Sequence, residues 1–480
     1  MSKQEKQPPK SGEEKAETSK SKRGRKRKGM CLEDRPLLEP DAAGIDIGAR
    51  EIFVAVPPDR DEEPVRVFAT FTEDLDAMAR WLVSCGITTV AMESTGVYWI
   101  PLYDVLEQHG VKPCLVDARG MKNVPGRRTD WHECQWLQFL HSVGLLRAAF
   151  RPDGDVCAVR SLMRHRSDLV EMTSQHIQHI HKALTQMNVQ IHHVIDDITG
   201  LTGLAIVDAI VGGQRNPQEL AKLRNPHIKA SEETIRKSLK GNWRREHLFT
   251  LKQSRQMYQH YQEQIAACDE EIEKLLAVFQ PWVDPAERPL PPDRKKRKKG
   301  RKKNVNPKTG FDFRTESYKL FGVDLTQVPG LNTMVLTLFS EVGRDMSKWP
   351  TSGNFVSWLA LCPDNDITGG RVAWKGMRSV HNRAGDLFRL AAYSLHHDQS
   401  PMGDYFRRMK SKLEAPAAIT ATAHKIAIIF YTMVKKQVEY NASLWAQRDA
   451  EREKRFEAKL KRQAAQRGYR LVPIEEKPAA

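Results

Sequence analysis

The chain has 480 residues, 40% of them apolar and 28% charged, with a formal net charge of +16. That length exceeds one hydrophobic core and predicts two or three domains. No apolar run approaches 18 residues and the N-terminus is polar, so neither a membrane span nor a signal peptide is expected.

Residues 1–28 carry 11 Lys/Arg against 4 Glu, within a Lys-, Glu-, Ser- and Pro-rich arm (1–38) expected to be disordered. A second tract, RKKRKKGRKK at 294–303, holds nine cations and no acid, leaving the remainder close to neutral. Dense basic tracts outside folded domains suit a polyanion, and nucleic acid is favoured over a merely solubilising role. The first folded stretch, 44–56, is GIDIGAREIFVAV. It predicts a short apolar strand, a Gly turn and a second strand (51–56). Ile45 and Ile47 flank Asp46, so a period of two puts them on the face opposite the acid. A carboxylate there is costly to bury without a cation or hydrogen-bond donors. Three readings fit this stretch alone: the metal-binding first-strand Asp of RNase H-like nucleases, the phosphate turn of actin-like and sugar-kinase ATPases, and a turn-capping Asp. The ATPase reading needs a second Asp-Gly phosphate loop and a Gly-rich adenosine loop, and neither occurs downstream.

A third strand is predicted over 65–71, a helix over 74–85, a strand over 88–92 running into Glu93, a helix over 101–108 and a strand over 111–116. Three strands joined by tight turns, then helix, strand, helix, strand, is the RNase H-like order. After a basic irregular stretch, Thr129 is the expected N-cap of a helix reaching about Phe150. Asp130 and Glu133 share one face of its first turn, where acids also simply complement the helix dipole. Together with Asp46 and Glu93, they would place four carboxylates at one end of the sheet. Such a group repels unless divalent cations sit within it.

The motifs GIDIGARE, AMESTGVYW and GRRTDWHE, in this order, resemble the RuvC-like domain of the DEDD transposases of the insertion-sequence one-hundred-ten family, recombinases directed by a structured bridge RNA. The resemblance implies that Asp46, Glu93, Asp130 and Glu133 are catalytic residues holding Mg²⁺ or Mn²⁺. Glu133 departs from the family's usual Asp and has one more methylene of reach. It further implies DNA (element ends and target) and a structured non-coding guide RNA as partners. A homodimer or tetramer and a cytoplasmic, nucleoid-associated bacterial setting complete the expectation.

Over 155–200 the sequence predicts a long helix. Ile177, Ile180, Leu184, Met187, Ile191, Val194 and Ile198 recur at 3-4 spacing, a coiled-coil seam. Six His between 165 and 193 lie mostly off that seam; a solvated face is favoured over a metal site, since no acid or Cys completes a ligand set. Residues 199–203 are expected to be loop, with small helices over 204–240. A second seam runs from Leu248 through Leu251, Tyr258, Tyr261, Ile265, Cys268, Ile272 and Leu275 to Phe279. The two helices would form a stalk.

The segment 352–395 holds an apolar helix, Pro-Asp-Asn, Thr368-Gly369-Gly370, a basic stretch and an Arg-bearing helix. It resembles the same family's C-terminal transposase domain, whose serine nucleophile corresponds to Thr368. By that resemblance Thr368 attacks DNA phosphate, and Gly369, Gly370, Arg371, Lys375, Arg378, Arg383 and Arg389 bind nucleic acid. Asp366 lies two residues away as a candidate base. Ser352 is a rival nucleophile that reads better as an N-cap. Val328-Pro329-Gly330-Leu331 resembles a hairpin-helix element holding nucleic-acid backbone, although an ordinary turn is the commoner use of Pro-Gly.

The expected architecture is therefore an α/β RNase H-like (RuvC-like) N-terminal domain, a central α-helical coiled coil and a mainly α C-terminal transposase domain. The boundaries are a basic arm (1–38), the catalytic domain (39–152), the coiled coil (153–280), a basic disordered linker (281–315), the transposase domain (316–440) and a charged helical tail (441–480). Cys31, Cys85, Cys114, Cys134, Cys157, Cys268 and Cys362 form no CxxC pair and read as reduced thiols. The expected function is excision and insertion of an insertion sequence by metal-assisted transesterification. The alternative is an RNase H-like nucleic-acid scaffold or junction nuclease without covalent recombinase activity.

Overall fold

The computed structural model describes residues 35–94, 96–116, 129–292, 312–332, 334–374, 376–378 and 380–472. The N-terminal arm to residue 34, the 294–303 tract, Lys375 and the side chain of Asp366 lie outside the described residues. The chain divides into two compact units, Met1–Phe150 and Arg151–Ala480.

The first unit contains β1 (Ala42–Ile47), β2 (Glu51–Ala55), β3 (Val65–Ala69), α1 (Thr72–Ser84), β4 (Thr89–Glu93), α2 (Trp99–Gln108), β5 (Lys112–Val116) and α3 (Asp130–Ser142). This is the element order expected from the sequence. The five strands lie in the order β3-β2-β1-β4-β5. β1, β2 and β3 form an antiparallel meander, whereas β1–β4 and β4–β5 pair in parallel. Alternation decides which helix covers which face. Ile45, Ile47, Ile52, Val54, Val90 and Met92 pack with Leu75, Met78 and Leu82 of α1 and with Leu102 and Leu106 of α2. The opposite face is covered by α3, with Cys134 against Ala55 and Val65, and Leu137 and Leu140 against Val116. α3 ends at Ser142, eight residues before the expected Phe150. Gly144 stops it by entering the left-handed region at φ +68°.

Gly44 lets α3 sit directly on β1. A Cβ built there would lie 2.2 Å from both the Cys134 carbonyl oxygen and the Gln138 backbone nitrogen. Gln138 Nε2 also donates to the Ala42 carbonyl at 3.2 Å, fixing the helix along the strand. Gly44→Ala must therefore displace α3. Its expected cost is about 1–3 kcal/mol or more, seen as a lower urea midpoint. An unchanged midpoint would show that α3 does not need this contact.

The second unit opens with α4 (Gly154–Gln186), which packs against α8 (Arg245–Ala277). The pair is antiparallel: Arg166 is bonded to Asp269 at 2.5 Å, and His176 stacks on Tyr261 at 5.4 Å between centroids. At its far end, α5 (Leu201–Val211), α6 (Pro217–Lys222) and α7 (Glu232–Ser238) form a cap around Ile180, Leu184, Met187, Ile206, Ile210 and Leu251. Two expectations are corrected here. The helix predicted over 155–200 stops at Gln186, because Asn188 adopts φ +55° and the Val189 amide turns back to the Leu184 carbonyl at 2.9 Å. The rest of the seam, Ile191, Val194 and Ile198, reaches the same core from a 3-10 turn and a loop. The 199–203 loop is in part helix: Gly200 is the N-cap of α5, and Thr202 is buried, its hydroxyl accepting from the Asn225 amide at 2.9 Å.

The C-terminal part contains α9 (Phe313–Phe321), α10 (Val335–Val342), α11 (Ser352–Trp358), a hairpin of β6 (Asp366–Thr368) and β7 (Arg371–Trp374), α12 (Arg383–Tyr393), α13 (Pro401–Lys410), α14 (Ala415–Lys436) and α15 (Ser443–Gln466). Phe355, Phe388 and Phe430 meet at its centre, with Phe355 stacked on Phe430 at 6.0 Å and Phe388 edge-on to Phe430 at 5.5 Å. α14 is long and apolar enough to cross a membrane by length and composition alone. Its Ala418, Ile426, Ala427 and Phe430 are buried in this core, which accounts for that composition. Residues 281–292, expected within a disordered linker, lie along the same body. The Trp282 amide donates to the Lys319 carbonyl at 2.8 Å, and Arg314 donates to the Pro291 carbonyl at 2.7 Å.

α4 is clamped to α10 by an acid buried between two arginines. Arg164 donates to both carboxylate oxygens of Glu341 at 2.9 and 2.8 Å. Arg160 donates to the Ser340 and Glu341 carbonyls at 3.0 and 2.8 Å.

Candidate carboxylate site and hydroxyl hairpin

In the parallel register Gly44 lies opposite Ala91 and Ile45 opposite Met92, so the next step brings Asp46 beside Glu93 at the ends of adjacent strands. Both point away from the Ile45–Met92 core, onto the face that α3 covers. α3 begins where expected: the Thr129 hydroxyl accepts from the His132 amide, and Asp130 and Glu133 lie in the first turn. Asp46 and Glu133 are half-buried and Asp130 is exposed. The four acids thus arrive from three elements at one sheet end.

The electrostatics of Asp46 record this convergence. Its carboxyl is raised to about 6, first by burial, then by the charges of Glu133, Asp130 and Glu93, against one backbone hydrogen bond from Ile47 that lowers it. Beneath it, the Cys134 thiol is pushed up to about 12, chiefly by burial and also by the charges of Asp46 and Asp130. That thiol donates to the Trp131 carbonyl at 3.1 Å and stays protonated at neutral pH.

Among the described residues, no three His, Cys, Asp or Glu close on a common metal-ligating point. The two observations agree, because charges act over longer distances than the 2.0–2.6 Å that ligation requires. The acids share a field, not a coordination sphere. As a donor set they are hard carboxylate oxygens with excess negative charge, which fits Mg²⁺ or Mn²⁺.

Thr368 ends β6 and pairs with Arg371 across a two-residue turn. Gly369 and Gly370 have φ +58° and +75°, the signature of a primed hairpin turn, and no atom lies within 4 Å of a Cβ added at either. The glycines are there for backbone conformation rather than close packing. Alternation puts Thr368 and Arg371 on one face of the ribbon, and Ile367 and Val372, which also pair, on the other. Thr368 and Arg371 are exposed. The other predicted phosphate ligands divide. Arg383 is exposed at the first position of α12. Arg378 donates to Ser357 Oγ at 2.7 Å, and Arg389 donates to Asp386 at 2.7 Å and to the Ala360 carbonyl at 2.8 Å, so both already serve structural bonds.

Two further expectations change. The N-cap of α11 is Thr351, in a reciprocal capping box with Asn354, and Ser352 is the first helical residue rather than the cap. Val328, Pro329, Gly330 and Leu331 are buried, and a Cβ at Gly330 would lie 2.6 Å from the Ala391 carbonyl oxygen, so this turn packs against α12 instead of presenting amides. Among the histidines, burial lowers the pKa of His176, His181 and His192, and His192 lies against His193 at 4.2 Å. These three are half-buried, whereas His165, His179 and His193 are exposed as a solvated face requires; among the described residues no metal-ligating cluster forms. What sequence reasoning missed around the acids is the supporting layer, Gly44 and Cys134. A lone small residue two positions before the strand acid was its available signal.

Residues 43–189 match the family model of the DEDD transposases, described as a transposase. A search of curated proteins returns no match. The matched segment runs from β1 through α3 and α4 and contains all four carboxylates. Residues 43–189 thus carry the transposase domain of the insertion-sequence one-hundred-ten family.

Proposed function

We propose that the protein is a DNA recombinase that cuts and rejoins strands in two transesterifications, using the carboxylates of the first unit and the Thr368 hydroxyl of the second. The observation that carries this reading is the raised Asp46 carboxyl, whose shift comes in part from three other acids on two further elements. No structural role requires four like charges at one sheet end. The element order, the mixed sheet and the position of Asp46 on its central strand support an RNase H-like fold for this unit.

In this reading Asp46, Glu93, Asp130 and Glu133 would hold Mg²⁺ or Mn²⁺, which when bound polarises phosphate oxygens and offsets developing negative charge. The chain's own residues do the rest. Thr368 Oγ gives up its proton and bonds to the scissile phosphorus as the bond to the 3′ oxygen breaks; that oxygen leaves as a 3′ hydroxyl. Arg371, paired directly across the turn, lies on the same ribbon face and can neutralise the phosphate. A second strand's 3′ hydroxyl then attacks the phosphothreonine and restores the free threonine. Each step exchanges one phosphoester for another, so no nucleotide cofactor is consumed. The resemblance adds a structured RNA as guide and a homodimer or tetramer as the working assembly.

The test is strand cleavage on DNA carrying the element's own ends, with the flanking non-coding RNA supplied. Chelation of divalent ions is expected to lower the rate about a hundredfold or more, because the charge they provide is worth several kcal/mol. Cleavage that persists unchanged in EDTA would refute a metal-assisted site at these acids.

A further inference from the structure

We propose that α15, the charged helix after the C-terminal body, is a phosphate-tracking arm that binds the backbone of double-stranded DNA outside the reacting site. This rests on the reading of the protein as a DNA recombinase and adds a binding surface to it. The helix runs over Ser443–Gln466, and none of its described side chains is buried. Described side chains that are never buried gain little from the core, so this part of the helix answers to something else. It holds seven Lys/Arg against four Asp/Glu, and Arg467 and Arg470 follow.

The cations are not spread evenly. Arg455, Lys459 and Arg462 recur at spacings of four and three, and all are exposed. At 100° per residue they fall within about 60° of arc. The same spacing continues backwards in the sequence through Arg452 and Arg448. Glu453 and Glu457 lie on the other side, where Glu457 is bonded to Lys461 at 2.5 Å; Glu451, exposed and four residues before Arg455, borders the stripe at its N-terminal end, leaving three cations against one acid on that face. From Arg455 to Arg462 the stripe covers about 10 Å, close to three phosphates at 3.4 Å of rise per strand.

A face on which cations outnumber acids three to one fits a polyanion. A membrane surface would call for a broad apolar face beside the cations. Among the described side chains of α15 only Phe456 and Leu460 are large and apolar, 55% and 38% exposed, too few for that face. DNA is the polyanion that a transposase engages.

The test uses the full-length protein, a fluorescent DNA duplex and no divalent ion, so that binding is read apart from cleavage. Replacing Arg455, Lys459 and Arg462 together by Gln keeps helix propensity and removes three cations. The slope of log K against log salt is expected to flatten by about 2–3, at about 0.9 per phosphate contact. A control removes charge from the opposite side, Lys454→Gln with Lys461→Gln, and is expected to change the slope by less than about 1. Circular dichroism confirms that the helix content of both variants is retained. Equal flattening in both variants would reduce the effect to net charge and overturn the stripe. An unchanged slope in the triple variant would overturn the proposal. So would loss of binding to phosphatidylserine vesicles with DNA binding intact, which would make α15 a membrane-surface helix. Cleavage of element ends by the wild-type protein, measured separately with Mg²⁺, reports on the recombinase reading itself.

Discussion

Asp46→Asn is expected to abolish strand exchange and, without divalent ions, to make the protein more stable. The two effects have one cause. The carboxyl at 46 is raised from about 4 to about 6 in the folded chain, mainly by burial, with Glu133, Asp130 and Glu93 adding to it. A carboxyl raised on folding prefers its neutral form there, so its contribution is fully present below pH 4. It is lost as pH rises through about 6, and the folded state is penalised above that. Asn removes the charge and with it the penalty, so the gain should be absent near pH 4 and complete by pH 7. Discounted for the half-exposure of the site, it should be on the order of 1–2 kcal/mol, a few degrees in melting temperature. Mg²⁺ should then stabilise the wild type and leave Asp46→Asn nearly unchanged. An Asp46→Asn protein that melts at the wild-type temperature across pH 4 to 8 would show that the four acids do not strain one another. Retained strand exchange would remove Asp46 from the chemistry.

Thr368→Ala is expected to eliminate any covalent protein–DNA adduct, whereas Thr368→Ser should keep or raise it. Threonine is bulkier and stiffer than serine at the attacking carbon, so it attacks less readily. The hairpin offsets part of this. Thr368 is exposed at the end of β6, beside two glycines whose turn conformation needs no packing support, and Arg371 pairs with it. The measurement is adduct trapping on a nicked duplex, followed by peptide mapping. An adduct that survives Thr368→Ala would transfer the role elsewhere, with Ser352 next to be tested. No adduct in any variant, with metal-dependent cleavage intact, would favour a junction nuclease that uses water.

The sheet and its acids were legible because burial writes itself into a strand every second residue. Asp46 between Ile45 and Ile47 announces a face, and Glu93 at the end of an apolar run announces a strand terminus. Thr129 was legible as a cap because a hydroxyl just before a helical stretch can accept from a first-turn amide, as it does from His132. Helix ends were less so. α4 stops where Asn188 turns left-handed, a choice that apolar spacing on either side does not reveal. The docking of 281–292 depends on the Trp282 amide meeting the Lys319 carbonyl and the Pro291 carbonyl meeting Arg314, partners remote in sequence. Thr351 and Ser352 are adjacent hydroxyls, and only the reciprocal bond from Asn354 decides which one caps.

The clamp of Glu341 between Arg160 and Arg164 makes α4 a lever with a defined fulcrum. From Arg164 the helix extends another 22 residues to Gln186, about 33 Å at 1.5 Å per residue. A tilt of about 5° at the clamp would carry its far end about 3 Å, enough to break or make a hydrogen bond. Small movements of α10 would thus be magnified at the helical cap. Because Arg164 holds both oxygens of Glu341, the joint resists twisting about the helix axis more than it resists bending.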